Sequence, residues 1–452
     1  MVKITIIGGY GGMGQFFAKL FIRLGHSVIV TGRDPKKGEK AEKELGVKYM
    51  RDNKKAAQEA DVVIVTVPID YTINTIEEIG PYIKDGSVFM DFTSIKEEPC
   101  RAMLESTSPG VDVIGTHPMF GPRVESLDGQ VVVLAPMRLN SSFWFEWIRN
   151  ILVPENARVI ESQPEHHDKV MAVVQGLTHF TYIAIAKTLM DMDFDIKDSR
   201  KFASPIYGLM LDMIGRIVGQ DPNLYASIQM ENPRIPQIHD SFLYAAGEIS
   251  KMVKNKEHDD FVKMMAQSAR HYDDVDAAMG RSDKAIYALM ADIESLKNSL
   301  GSEVAVKHIY SGNIHTGILK EITPDIIVLE QRTRAGSVTR VSLKISNIRI
   351  IERDERISYE ISHSGVIKRD FTYVIDENMD ENFICDILKL INENIISADV
   401  RDVYRGDAIP EGKKSVCFGV NFLNNLHGGK AYTRKMEKVV EEFFKRIGCV
   451  KR

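Results

Sequence analysis

The feature that most constrains this chain is its opening turn. The apolar run Val2-Lys3-Ile4-Thr5-Ile6-Ile7 enters Gly8-Gly9-Tyr10-Gly11-Gly12-Met13-Gly14, and a helical pattern follows over residues 15–24. The spacing Gly9-x-Gly11-x-x-Gly14 between a strand and a helix is that of a dinucleotide-binding turn. Gly9 permits the tight turn and Gly11 lets the backbone approach a pyrophosphate that caps the helix. Gly14 allows close helix–strand packing. Such a turn predicts an open, parallel α/β sheet of the Rossmann type, with residues 61–68 and 87–92 as further buried strands.

The second strand, residues 27–31, runs into Thr31-Gly32-Arg33-Asp34. An acid commonly stands at this point to accept from the ribose 2′-hydroxyl of NAD, whereas a guanidinium suits the 2′-phosphate of NADP. Thr31 and Arg33 therefore favour NADP, with NAD as the alternative. Asp34 becomes the ribose acid if the strand runs longer, and Arg33 is otherwise a solvated side chain. Pro68 ends the next apolar run at the same crevice. Asp91-Phe92-Thr93-Ser94-Ile95-Lys96 ends the following one and brings Ser94 and Lys96 beside the cofactor. Their plainer readings are an N-cap for Ser94 and a surface charge for Lys96. Gly115-Thr116-His117-Pro118-Met119-Phe120-Gly121-Pro122 predicts a Gly/Pro-stiffened loop at the carboxyl ends of the strands. A histidine there can take a proton from a hydroxyl while the cofactor takes a hydride.

After Pro154 the pattern turns to long helices, through about residue 300. Glu165-His166-His167-Asp168 has adjacent rather than i,i+4 spacing, so capping acids and a polar helix start describe it better than a metal site. His179, in Leu177-Thr178-His179-Phe180, lies in an apolar face and reads first as a core histidine. Arg216 sits within Met213-Ile214-Gly215-Arg216-Ile217-Val218. Burying it requires an anion, either a protein acid or a substrate carboxylate.

Taken in order, Gly9-x-Gly11-x-x-Gly14, Asp91-x-x-Ser94-x-Lys96, His117-Pro118, His167-Asp168, Leu177-Thr178-His179-Phe180 and Arg216 before Gln220-Asp221-Pro222-x-Leu224-Tyr225 resemble the prephenate/arogenate dehydrogenase family of tyrosine biosynthesis. The resemblance implies oxidative decarboxylation of prephenate, or of arogenate, with a nicotinamide cofactor. It implies that His117 deprotonates the ring hydroxyl with Ser94 in support, that Arg216 holds a substrate carboxylate, and that His179 orients the substrate. It also implies a homodimer built by the helical domain. The β-hydroxyacid dehydrogenases share the first domain but use an Asn-x-x-Lys helix, which residues 160–190 do not offer. A non-catalytic dinucleotide-binding regulator that contacts RNA through residues 303–452 is the reading from another class.

Residues 303–353 show five short strands and resemble an Sm- or SH3-like small β-barrel. Residues 356–452 follow a β, α, β, β, α order and are ferredoxin-like. Asp402-Val403-Tyr404-Arg405-Gly406, Gly412-Lys413-Lys414-Ser415 and Gly448-x-x-x-Arg452 resemble the ferredoxin-fold anticodon-binding domain of the phenylalanyl-tRNA synthetase β chain. The near balance of acids and bases there disfavours an RNA contact; a ligand-sensing or assembly role, with tyrosine as an effector, and no separable role stand beside it. The expected domains are 1–155, 156–300, 301–355 and 356–452. A net charge of −5 over 452 residues argues against wholesale nucleic-acid binding, while leaving room for a local basic face. Four scattered cysteines, no metal site, no leader and no apolar run of membrane-spanning length suit a cytoplasmic enzyme.

Overall fold

In the computed structural model, residues 1–272, 274–332, 337–392, 394–424 and 429–452 are described. The chain divides into two compact units, Met1–Asp273 and Asp274–Arg452.

The first unit opens with an eight-stranded sheet: β1 (Lys3–Ile7), β2 (Ser27–Thr31), β3 (Lys48–Met50), β4 (Val62–Val65), β5 (Val88–Asp91), β6 (Asp112–Pro118), β7 (Val131–Arg138) and β8 (Arg158–Glu161). Their spatial order is β3-β2-β1-β4-β5-β6-β7-β8, and β1 to β6 are parallel. Because side chains alternate across a strand, each strand feeds two cores. Ile4, Ile6, Val28, Val30, Val62 and Ile64 pack on one face, and Ile7, Val63, Val65, Phe89 and Val113 on the other. The order reverses between β1 and β4, the switch point at which sheets of this kind bind ligands.

One expectation fails here. His117 does not lie on a loop. It is part of β6, which pairs antiparallel with β7 so that His117 faces Val133 and Pro118 faces Val132. The ladder holds the segment extended despite its glycine and proline, and the histidine is fixed by a sheet. Beneath that strand lies Cys100, fully buried, whose sulfur occupies the space that a Cβ on Gly115 would need. Burial raises its thiol pKa to about 12.

From Pro164 to His271 the unit is helical. The stretch Pro164–Asp191 is by length and composition apolar enough to cross a membrane, where the sequence reading expected none. Its middle, Ala172–Leu177, winds as a π-helix. Within the single chain the helix Thr178–Asp191 has no fully buried residue, and Leu209, Met213, Leu243 and Val253 on later helices are also exposed.

In the second unit, the helix Val275–Asn298 gives Leu296 to the core of a five-stranded antiparallel sheet. Its strands are β9 (Glu303–His308), β10 (Ile314–Ile322), β11 (Ile326–Arg332), β12 (Val338–Lys344) and β13 (Ile348–Ile350), in the order β12-β11-β10-β9-β13. The five strands match the expectation but the barrel does not. Among the described residues no ladder joins β12 to β13, so the sheet is open. The remainder has the ferredoxin-like order β14 (Val366–Asp376), helix Glu381–Ile391, β15 (Ile395–Tyr404), β16 (Lys413–Leu423), helix Gly429–Arg446 and β17 (Val450–Lys451). Its sheet runs β15-β16-β14-β17 over a core including Phe371, Tyr373, Phe418 and Phe444.

Candidate active site

The glycine turn leads into the helix Gly12–Arg23, which has no side-chain cap and no acid in its first turn. Its free N–H groups and positive dipole end suit a pyrophosphate. The left-handed residue of the turn is Gly8, with φ +78, rather than Gly9. A Cβ on Gly14 would stand 2.6 Å from the Gly9 Cα, so these two glycines permit the close approach. At the end of β2 the Thr31 hydroxyl is buried without a partner among the described residues, a polar group that a cofactor would satisfy. The strand ends at Thr31, and the Asp34 carboxylate caps the helix Pro35–Leu45, its Oδ1 accepting from the backbone of Lys36 and Lys37. Arg33 is exposed, with its guanidinium over the Tyr71 ring. Pro68, also exposed, sits at the head of the helix Ile69–Ile79.

At the carboxyl end of β6, His117 forms a buried line with His167 and Asp168, each 2% exposed. His117 Nδ1 is 2.9 Å from His167 Nε2, and His167 Nδ1 is 2.7 Å from Asp168 Oδ1. Asp168 also accepts from the backbone N–H of Lys96 at 2.8 Å and of Glu97 at 2.9 Å. A carboxylate held by these donors is an acceptor only, and with both imidazoles neutral this assigns the tautomers. His167 donates from Nδ1 to Asp168 and accepts at Nε2 from His117 Nδ1–H. The lone pair of His117 then sits on Nε2, 3.4 Å from the Gln175 carboxamide nitrogen. Burial first, then the neighbouring His167 and the Lys96 charge, hold the His117 pKa well below the usual 6.5. The imidazole is neutral and available as a base.

Two sequence expectations are corrected by this arrangement. The Glu165-His166-His167-Asp168 run is more than a polar helix start, because the Asp168 carboxylate caps the helix Glu97–Ser106, 71 residues earlier in the chain. Lys96 is not a surface charge. It is fully buried and ion-paired with Asp91, and Thr93 bridges the pair. Asp91 also accepts from the backbone N–H of Thr116, next to the base. Ser94 is half-buried, caps no helix, and its hydroxyl has no protein partner among the described residues.

A second cluster gathers other expected residues. The His179 ring meets Tyr225 edge-on at 4.8 Å, and its Nδ1 is buried without a partner among the described residues. Burial lowers the His179 pKa and raises that of Tyr225, the latter partly opposed by the Arg216 charge. Gln220 donates to the Tyr225 hydroxyl at 3.1 Å and to the Arg216 carbonyl at 2.7 Å. Arg216 itself is exposed rather than buried, and it makes no ion pair among the described residues. Ile206, Leu209 and Met213 on the same helix are exposed too, while Ile214 and Ile217 are buried, so an apolar helix suggested burial for a residue that stands outside the core.

Comparison with known proteins gives this geometry its context. Three family models match the chain: the nucleotide-binding domain of prephenate dehydrogenase over residues 17–161, its dimerization domain over 163–267, and the ferredoxin-fold anticodon binding domain over 362–451. A probable arogenate/prephenate dehydrogenase of Methanocaldococcus jannaschii is 42% identical over 450 residues, 99% of this chain and 98% of that one. The chain belongs to the prephenate/arogenate dehydrogenase family. It is an NAD(P)-dependent dehydrogenase, and the resemblance of its last hundred residues to the anticodon-binding fold also holds. The T-protein of Haemophilus influenzae is 32% identical over 260 residues, covering 58% of this dehydrogenase and 64% of the T-protein. Among solved structures, prephenate dehydrogenase from A. aeolicus in complex with hydroxyphenyl propionate and NAD+ aligns with TM-score 0.51 at 20% identity. That alignment covers 61% of this chain and 99% of the other, and it shows a shared fold.

Proposed function

We propose that this dehydrogenase oxidises prephenate to 4-hydroxyphenylpyruvate and carbon dioxide with NADP, and that His117 is its base. The observation that carries the reading is the Asp168–His167–His117 line, which leaves the His117 Nε2 lone pair facing Gln175. The cofactor, when bound, accepts hydride at its nicotinamide. Gly11 and the helix N-terminus would hold its pyrophosphate, with Gly9 and Gly14 permitting the close approach; Thr31 and Arg33 would hold its adenosine end, and Pro68 would line the crevice. His117 takes the proton of the ring hydroxyl as hydride leaves the same carbon. The bond from the ring to its carboxylate then breaks, and its electron pair aromatises the ring. The new phenol oxygen recovers the proton from His117. No net proton is released, so a base as deeply buried as His117 needs no path to solvent. Ser94 supports the hydroxyl, Arg216 pairs with a substrate carboxylate, and His179 orients the ring through its unpaired nitrogen.

Arogenate is the second reading, since the M. jannaschii relative carries both names. NADP is favoured because the Asp34 Oδ1 caps a helix while the exposed Arg33 guanidinium, over the Tyr71 ring, suits the chemistry of a 2′-phosphate. The exposed apolar faces of the helical region suit a homodimer, and four free cysteines suit the cytoplasm. Residues 356–452 are better read as a ligand-sensing or assembly module, with tyrosine the effector to test, than as an RNA contact. Many of their cations are paired: Arg369 with Glu437, Arg401 with Asp399, Arg405 with Glu377, Lys413 with Asp376 and Lys451 with Glu441.

The test supplies prephenate and arogenate in turn with NADP+ and NAD+. The expected result is reduction of NADP+ by prephenate. Reduction only with arogenate moves the substrate to the second reading, and no reduction in any of the four mixtures sinks the catalytic one.

A further inference from the structure

The turn between the helices Pro222–Glu231 and Ile235–Asn255 reaches back to the catalytic line. Asn232 in this turn is 2% exposed. Its Nδ2 donates to the Asp168 carbonyl at 2.8 Å, and its Oδ1 accepts from the Arg234 backbone N–H at 3.0 Å. The Arg234 guanidinium pairs with the Glu97 carboxylate. Glu97 in turn donates its backbone N–H to Asp168 Oδ2 at 2.9 Å. These contacts close a ring in which Asp168 is gripped at its peptide from one side and at its carboxylate from the other.

Resting on the reading of His117 as the base, we propose that Asn232 is a positioning residue for it: the carboxamide fixes Asp168, and through His167 it sets where the His117 Nε2 lone pair points. Asp168 stands at the end of a two-imidazole chain, so a displacement of its peptide passes to the reacting nitrogen. Misplacement of a reacting group by about 1 Å costs on the order of 10² in rate. Asn232 has two separable tasks. Its Oδ1 shapes the turn by accepting from the residue two positions on, which an aspartate does equally well. Its Nδ2 holds Asp168, and an aspartate, having no donor when ionised, cannot do this.

Asn232→Asp in the full-length protein therefore distinguishes the tasks. The expected result is a fall in kcat of about 10–100-fold, on the scale of a misplacement of the base by up to about 1 Å. The KM for prephenate and the Kd for NADP+ should stay near wild type. In an Asn232→Asp, His117→Asn double variant the loss should be no greater than for His117→Asn alone. Arg234→Gln, which opens the ring at its other side, should show the same pattern with a smaller fall. It stands in if Asn232→Asp no longer binds dinucleotide. Full turnover by Asn232→Asp, or losses that multiply in the double variant, would overturn the positioning role while the base reading stands. Full turnover by His117→Asn would overturn the base reading and this inference with it.

Discussion

His117 is where charge, burial and chemistry meet. A base held neutral below its usual pKa should keep working as the solution becomes acidic, so turnover should decline only at a pH clearly under 6.5. Stability has the opposite sensitivity. The unfolded chain binds a proton at this histidine near 6.5, whereas the folded protein does so only at lower pH. The contribution of the neutral, buried ring is therefore complete above 6.5 and lost as the pH falls from there toward the folded value. Melting temperatures across pH 5–8 check this. Replacement of the base, His117→Asn, should lower turnover by about 10²–10⁴-fold with dinucleotide affinity unchanged, measured by steady-state kinetics and cofactor titration. Lys96→Met leaves the Asp91 carboxylate buried and uncompensated. It should cost about 3–5 kcal/mol, read by urea unfolding. The only two tryptophans, Trp144 and Trp147, lie in the same domain and report its unfolding selectively. The sequence made His117 visible because the residue type matched the chemistry. It hid the tasks of Asp168 and Lys96, whose partners are the far-off cap of Glu97–Ser106 and the buried Asp91 carboxylate at the end of β5.

Elements decide how those residues come together. The spacing 167, 171, 175, 179 advances by four, and in an α-helix each such step drifts by about 40° around the axis. The π-helical turn Ala172–Leu177 takes up part of that drift, turning Gln175 toward His117 while His167 remains in line. Deletion of the exposed Val173 should restore α-helical winding there. Turnover should fall to that of His117→Asn while dinucleotide binding persists; a deletion variant with normal kcat would show the wide turn to be dispensable. Sequence signals were sufficient for the strand–glycine–helix start, because everything that defines it lies within about twenty residues. They were insufficient for β6, where Gly115 and Pro118 read as breakers and only the distant ladder with β7 makes a strand.

At the scale of the molecule, the order of folds along the chain was legible and closure and covering were not. Five strands between residues 303 and 350 were apparent, but whether the last meets the fourth depends on curvature that a strand pattern does not encode. Likewise Arg216 looked buried because its helix is apolar, and the face stays uncovered in one chain. If that face pairs two copies, light scattering should give twice the 51.0 kDa of a single chain. The division of the chain also moves the place for a cut. Leu296 belongs to the core of the second unit, so truncation at 300 leaves the helix Val275–Asn298 without its partner sheet. A chain ending at Tyr272 should be soluble and active, and an inactive but folded fragment would show that the second unit takes part in turnover. Cys100 adds one more property. Its thiol lies directly below the strand that carries His117, shielded and poorly acidic, so an alkylating reagent reaches it only when that part of the sheet opens. The molecule thus contains its own reporter: the rate at which Cys100 is labelled, with and without dinucleotide, measures how far cofactor binding suppresses the breathing of the catalytic strand.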